Sequence, residues 1–525
     1  MDAVWNYLER ARREHPGGEA VVHGEARWSW EELHRRALGL AAFLEARGVS
    51  PGQRVALLWE NSPGYVQAYF ALHRLGAIVV GLNPVNDAAY VMRVCADCEP
   101  AVLVGQAKFM RRIAGDLDPA RVPPLWLLDA PLDAPPAGTR VEPLGEESGK
   151  PRAAPPGPGD DAMILYTSGT TGRPKGVTLT QRNLTANTES IVEYLALTRE
   201  DRVMVVLPFF YSYGHSLLLT HAAVGGTLVV DNRFAFPRVV LETMEREGVT
   251  GISGVPSTYA ILMQKTRLDE HPLPALRYFT IAGGGLPVAD LQRLRGLWPG
   301  VTPFVMYGQT EGTARLSYLD PAELDRKLGS IGRGIPGVRL EVLDEEGRPT
   351  PPGVTGEIVA SGENIMRGYW RDPEETRRVV DERGRLWTGD LARVDEDGYL
   401  FVVGRKKDMI KSGGYRINPK EIEDHIAELP AVVMSAVLGL PDSIHGERIV
   451  ACIVARAGEG LAAADVTRHL RGCLPHWKQP HEVRFVEDLP RTSSGKIQKH
   501  ILRESLEGGG MAAAGGPRPA GEAEA

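Results

Sequence analysis

Tyr166 to Gly176 reads YTSGTTGRPKG and follows directly on the apolar run AMIL at 162–165. The run has the composition of a buried strand. After it come two hydroxyl pairs, Thr167 with Ser168 and Thr170 with Thr171, set among Gly169, Gly172 and Lys175. A loop of that kind at a strand end can turn backbone N–H groups and hydroxyls onto a polyphosphate. It is not a loop of the GxxxxGK[ST] form, because Pro174, not glycine, stands before the lysine. Taken alone, the string also fits a flexible polar turn.

Working outward, strand-like and helical patterns alternate. EAVVHG is followed by Ser29, Trp30, Glu31 and Glu32, which open an amphipathic helix; VALLWEN, a helix through Tyr65 to Leu75, and GAIVVGLNP come next. The same texture returns at DRVMVVLPFF, GTLVVD, VTGISGVP, ALRYFTIAGGG and TPFVMYGQTEG. This predicts an α/β fold of doubly wound sheets, with ligands at the carboxyl ends of strands. Residues 131–160, rich in Pro, Gly and Ala, read as a surface linker. After Gly329 the chain becomes β-rich, with two alternating runs in VRLEVLDEEGRPTPPGVTGEIVASG, and from GRKKDMIKSGGYRINPKEIE a small βαβ-like unit of about 100 residues begins. The expected organisation is a large N-terminal domain at 1–403 with a β-rich subdomain at about 330–403, a small mobile α+β domain at 404–505, and a disordered tail at 506–525.

Composition bounds the function. A chain of 525 residues with 43% hydrophobic content can bury several large cores, and a net charge of −7 without long like-charge runs argues against a nucleic-acid coat. The four cysteines, Cys95, Cys98, Cys452 and Cys473, are too few for a disulfide scaffold and read as ordinary thiols of a reducing compartment. No signal peptide is apparent, and the apolar stretches break before the roughly 20 residues of a membrane span. A cytoplasmic protein is expected.

Further motifs follow in order: AGGGLP at 282–287, YGQTEG at 307–312, TGEIVASGENIMRGYW at 355–370, WTGD at 387–390, GRKKDMIKSGGYRINPKEIE at 404–423 and RTSSGKIQK at 491–499. With YTSGTTGRPKG, this set resembles the adenylate-forming superfamily of acyl-CoA synthetases, aryl-CoA ligases, peptide-synthetase adenylation domains and beetle luciferases, over essentially residues 10 to 505. The resemblance implies an AMP-forming acid–thiol ligase using ATP, Mg²⁺ and CoA on a small-molecule carboxylic acid. Because carboxylate and ATP are both anionic, such a site needs lysines, hydroxyls and a metal.

By that resemblance, Thr167, Ser168, Gly169, Thr170, Thr171, Gly172 and Lys175 would hold the β- and γ-phosphates, Thr310 would bond the α-phosphate, and Glu311 would bind Mg²⁺. Gly283, Gly284 and Gly285 would let adenine approach the backbone, with Tyr307 stacking on it, while Asp390 and Arg405 would receive the ribose. Lys496, a surface lysine if met in isolation, would bridge the carboxylate and α-phosphate during adenylation. Lys407 would be the pivot of the small domain, and Lys411, Ser412, Gly413 and Gly414 would then line the pantetheine tunnel.

The acyl pocket is less defined. LPFFYSYGHS at 207–216 places Tyr211 where many fatty-acyl and coumarate-type relatives carry histidine, and resembles benzoate-type ligases as well. Phe210, Tyr211, Tyr213, His215, Tyr259 and Gly285 are candidate wall residues; ordinary core packing would explain some of them. His215 is not expected to act as a base, since the attacking carboxylate is already ionised near pH 7. A medium- or long-chain fatty acid is the leading substrate, with an aryl acid second. A stand-alone enzyme loading a carrier protein and a non-enzymatic nucleotide sensor remain alternatives, and the oligomeric state stays open between monomer and homodimer.

Overall fold

The computed structural model describes residues 3–167, 174–456, 458–491 and 497–507. The tail expected to be disordered lies outside them, apart from its first residues, which continue the helix Lys499–Glu507. By internal contacts the chain divides into two units. The first takes the described residues up to Gly284 together with Gln292–Leu340 and Val359–Trp387; the second takes Gly285–Leu291, Glu341–Ile358 and the described residues from Thr388 onward.

The first unit is built on two sheets of nine and eight strands. Short apolar runs become strands because both of their faces are covered: in Arg54–Leu58, Val55 and Leu57 join one buried cluster while Ala56 and Leu58 join another. The eight-stranded sheet runs Gly368–Tyr369, Lys175–Thr180, Asp161–Thr167, Ile78–Leu82, Arg54–Leu58, Val102–Gly105, Leu125–Leu128, Arg140–Pro143. From Asp161–Thr167 onward its pairings are parallel; the two at the opposite end are antiparallel. In the nine-stranded sheet, six neighbours from Thr302–Tyr307 through Tyr278–Ile281, Gly251–Gly254, Arg202–Val205 and Thr227–Val230 to Glu19–His23 are parallel. One core cluster draws on both sheets and on the helices Trp30–Ala46, Pro63–Leu75 and Ser212–Val224.

Helix starts follow their caps. Ser29 Oγ accepts from Glu32 N at 3.2 Å, as the sequence anticipates, and Ser62 does the same for Tyr65 N at 3.3 Å with Pro63 at the first helical position. The expected surface linker at 131–160 is not wholly irregular. It contains Arg140–Pro143, which adds to the sheet edge beside Leu125–Leu128. An exposed edge strand ending in proline has little apolar alternation to read.

In the second unit, Tyr415–Ile417, Ile410–Ser412, Gly446–Ala455 and Val432–Asp442 pair antiparallel in that order, and Glu482–Phe485 lies parallel to Gly446–Ala455. Helix Ala463–Cys473 connects that parallel pair, which is the βαβ texture seen in the sequence. Ile449, Ala451 and Ile453 pack with helices Pro419–Ala427 and Ala463–Cys473; Val450 and Cys452 face the opposite way, with Leu502 and Leu506. The β-rich stretch forms a further four-stranded sheet in the order Arg339–Leu343, Gly356–Ser361, Leu386–Val394, Leu400–Arg405.

Candidate functional site

Thr167 ends the strand Asp161–Thr167 and lies opposite Lys175, the first residue of the antiparallel return strand. The hairpin therefore presents both residues at the mouth of the intervening loop. Ser168, Gly169, Thr170, Thr171 and Gly172 of that loop, and Lys496, lie outside the described residues. Tyr166 and Pro174, which flank the loop, border a cavity of about 450 Å³ together with Arg93, Asp97, Arg121 and Arg371. The Tyr166 hydroxyl donates to Asp97 Oδ2 at 2.6 Å.

The short strand Gly368–Tyr369 adds beside Lys175–Thr180 and brings remote residues to this mouth. Lys175 Nζ lies 3.0 Å from Glu375 Oε1 and 5.0 Å from the centre of the Tyr369 ring. The Tyr369 hydroxyl in turn donates to Glu311 Oε1 at 2.8 Å. Burial, reinforced by the Glu311 carboxylate, holds the Tyr369 phenol well above its usual range, so it remains a donor at neutral pH. Tyr369 lies in the motif at 355–370 without a role to read from it, and Glu375 lies outside every motif; the edge pairing brings both here.

Thr310 and Glu311 occupy the 3₁₀ turn Thr310–Gly312, just past the strand Thr302–Tyr307. Thr313 follows at φ +69°, a left-handed conformation costly for a β-branched residue, and its hydroxyl is anchored on the Asn364 carbonyl at 2.7 Å. The turn is thereby fixed. Tyr307 ends its strand partly buried, and Gly283 and Gly284 follow the neighbouring strand Tyr278–Ile281 on exposed backbone. Gly283 has φ +83°, which favours glycine.

In the second unit, Asp390 and Arg405 are cross-strand partners, with Arg405 Nε donating to the buried Asp390 Oδ1 at 2.8 Å. Beside them Lys406 pairs with Glu357 at 3.0 Å, and Glu357 Oε1 also accepts from Gly389 N. Lys407 sits in the exposed 3₁₀ turn Lys406–Asp408. Lys411 is exposed on the strand Ile410–Ser412, while the Ser412 side is buried. Gly413 and Gly414, at φ +56° and +84°, make the two-residue hairpin loop between Ser412 and Tyr415, where both positions need positive φ. Gly285 is exposed and also belongs to this unit. Elsewhere in it, one ligand atom each from His425, Glu428 and Cys473 lies within 4.8 Å of the others. Cys95, Cys98 and Cys452 are buried free thiols; burial pushes Cys98 up to about 12.

The candidate acyl residues separate sharply. The rings of Phe210 and Tyr211 lie 4.6 Å apart, and Tyr211 and Tyr213 are partly exposed at the start of the helix Ser212–Val224. The Tyr213 hydroxyl meets Thr280 Oγ1 at 2.7 Å, and the Arg315 guanidinium stacks 3.8 Å from its ring centre. Tyr259, by contrast, is fully buried, with its hydroxyl on the Thr280 carbonyl at 2.7 Å and its ring against Phe279. His215 is also buried, 2.6 Å from the Tyr69 hydroxyl, and burial pushes it down to about 3. Nothing in the sequence after YGQTEG marks Arg315 out; its burial does.

A profile of the family described as "AMP-binding enzyme" matches residues 8–370, and one for the "AMP-binding enzyme C-terminal domain" matches 421–496. The chain belongs to this AMP-binding enzyme family. A feruloyl-CoA synthase from Amycolatopsis sp is 37% identical, covering 94% of this chain and 97% of that protein. An indoleacetate–CoA ligase from Aromatoleum aromaticum is 35% identical over 95% and 97% respectively. Among solved structures, ATP-bound MatB from Rhodopseudomonas palustris is 31% identical with a TM-score of 0.85, covering 97% of this chain and 100% of that one. Together these make the chain an AMP-forming CoA ligase that uses ATP, CoA and Mg²⁺ with a small-molecule acid. The two ligases act on aromatic acids, so the expected medium- or long-chain fatty acid gains no support from them. No helix among the described residues is long and apolar enough to cross a membrane.

The donor set suits magnesium. Glu311 offers hard carboxylate oxygen and accepts from Tyr369 at Oε1, so it could hold a metal that keeps most of its ligands as water and phosphate.

Proposed function

We propose that the chain activates a ring-bearing carboxylic acid and transfers the acyl group to CoA. The observation that carries the choice of acid is the paired Phe210 and Tyr211 rings, continued by Tyr213 with its hydroxyl pinned to Thr280, at the end of a parallel strand layer. Fixed aromatic walls suit a planar ring better than a flexible alkyl chain. The aromatic substrates named for the two relatives support the same reading. Tyr259 and His215 stay out of the pocket as buried supports.

In the first half-reaction an oxygen of the acid attacks the α-phosphorus and pyrophosphate leaves; Thr167, the adjoining loop and Lys175 cradle the departing phosphates, Thr310 bonds the α-phosphate, and Lys496 offsets charge between the two anions. Magnesium bound at Glu311 would neutralise phosphate oxygens. Gly283, Gly284, Gly285 and Tyr307 take the adenine, and Asp390 with Arg405 the ribose. In the second half-reaction the CoA sulfur attacks the acyl carbonyl and AMP leaves. Lys496 must then vacate space for the thiol, so a domain at 404–505 turns about Lys407 against residues 1–403 and brings Lys411, Ser412, Gly413 and Gly414 to the pantetheine path. Free cysteines fit a reducing cytoplasm.

The test is acid-dependent pyrophosphate release over matched aryl and fatty acids, with and without CoA. Cinnamate- and arylacetate-type acids should give the higher kcat/KM and yield thioesters when CoA is present. Faster turnover of C8 to C16 fatty acids, or no activation of any acid, would overturn the reading.

A further inference from the structure

Six Asp, Glu, Lys or Arg residues are buried among the described residues: Asp201, Asp231, Glu247, Arg315, Glu357 and Asp390. Five have a partner of opposite charge, namely Arg277, Arg233, Arg27, Lys406 and Arg405. Arg315, 3% exposed, is the exception: no carboxylate among the described residues lies within ion-pair distance of it. Its neighbours are neutral. Nη1 donates to the Ala314 carbonyl at 3.2 Å, Nε points at Met306 Sδ at 3.4 Å, the Tyr194 hydroxyl lies alongside, and the Tyr213 ring faces the guanidinium.

A desolvated guanidinium without a counter-charge is costly, and stacking on one ring returns only part of that cost. The backbone nonetheless holds it there. Asn187 both donates to the Arg315 carbonyl at 2.8 Å and accepts from its N–H, and Asn364 donates to the same carbonyl at 3.0 Å. The side chain lies with the rings of Tyr194 and Tyr213 and with Met306, whereas Glu311, four residues earlier, turns to Tyr369 at the phosphate end. Its cation therefore serves the aromatic end of the site.

We infer that Arg315 is an anion subsite of the acyl pocket, recognising a second acidic group carried by the acid away from its reacting carboxylate. The inference rests on the CoA-ligase reading above and narrows its substrate to a ring-bearing diacid. A planar fork stacked on Tyr213 suits a carboxylate in the plane of an aryl ring, because it can donate two parallel N–H bonds. Such a group would supply the missing counter-charge on binding, and a neutral analogue would leave the cation unpaired.

The experiment measures pyrophosphate release for cinnamates bearing a ring carboxylate at the 2, 3 or 4 position, each against its ring methyl ester, with the wild-type chain, Arg315→Met and Arg315→Lys. For at least one isomer the wild-type KM should be about tenfold or more below that of the ester, as a charge-assisted hydrogen bond requires. Arg315→Met should erase that preference by raising the diacid KM about tenfold or more relative to the ester KM, and Arg315→Lys should restore part of it. Equal treatment of diacid and ester by the wild type at every position overturns the inference, as does an equal loss on all acids in Arg315→Met, the mark of a guanidinium that is structural or holds the reacting carboxylate. Should Arg315→Met fail to fold, the wild-type preference and its reduction in Arg315→Lys decide. A wild type that turns over monoacids without preferring diacids defeats this inference alone; one that turns over no acid defeats the ligase reading itself.

Discussion

Lys175 and Arg315 are both cations of the larger unit, yet their surroundings differ. Lys175 remains partly wet and has Glu375 at 3.0 Å, so an arriving phosphate would exchange one anion for another. Arg315 is buried among neutral groups and, among the described residues, has no anion to exchange. A paired surface cation contributes little until its partner is replaced, whereas an unpaired buried one raises the cost of the empty site and favours whatever anion fits. On the proposed assignment the phosphate end would be general to ATP, and the aromatic end would be where one acid is told from another.

The largest effect expected at the phosphate end is that of Glu311→Gln. Losing the carboxylate proposed to hold the metal should lower kcat/KM for pyrophosphate release about 100-fold or more, and by the same factor for every acid. Arg315→Met should instead divide the acids. If Glu311→Gln proves acid-selective, or leaves the Mg²⁺ dependence of the rate unchanged, the two ends are not separate in function.

Much of the proposed phosphate end could be read from the chain because its candidate residues are close in sequence: Thr167 and Lys175 pair across neighbouring strands, and Thr310 and Glu311 share one turn. Tyr369 and Glu375 could not, since they arrive only through the edge pairing of Gly368–Tyr369 with Lys175–Thr180, nearly 200 residues away. Alternation of strands and helices made the doubly wound sheets legible, while the exposed strand Arg140–Pro143 carried no pattern to betray it. At the aromatic end, residue type alone does not tell burial: Tyr259, His215 and Arg315 are all buried, Tyr259 with its hydroxyl on the Thr280 carbonyl and His215 beside the Tyr69 hydroxyl. Sequence records side-chain chemistry; which face of an element is covered depends on the neighbours the fold supplies.

The histidines of the helix Ser212–Val224 stay uncharged. Burial pushes His215 down to about 3 and His221 to about 4, and the nearby His73 to about 3. These folded-state values lie below the ordinary imidazole range near 6.5, so in acid the unfolded chain takes up protons that the folded chain refuses. The contribution to stability is complete above about pH 6.5 and is lost as the pH falls toward 4 and 3. At pH 5 each imidazole should withdraw about 2 kcal/mol. Urea unfolding at pH 7 and pH 5 should reveal this loss, and His215→Gln should show a drop smaller by about that amount whatever its stability at pH 7. An unchanged drop would mean that His215 is protonated in the folded chain, and that Arg315 shares the aromatic end with a second charge.

Glu375→Gln should have the smallest effect and bears most directly on the contrast between the two cations. Glu375 holds Lys175 with one oxygen and Arg378 with the other, and both ion pairs are partly open to solvent. Pairs of that kind contribute about 0.2 to 1 kcal/mol. If Glu375 merely occupies Lys175 until phosphate arrives, neutralising it lowers the KM for ATP by about two- to fivefold with kcat nearly unchanged. If Glu375 instead aims Lys175 across the Tyr369 ring, the same variant raises that KM, because a freed lysine disperses into water. The sign of a small change therefore tells whether Lys175 is a cation held in reserve or one held in position, and only the first makes it the counterpart of the unpaired Arg315.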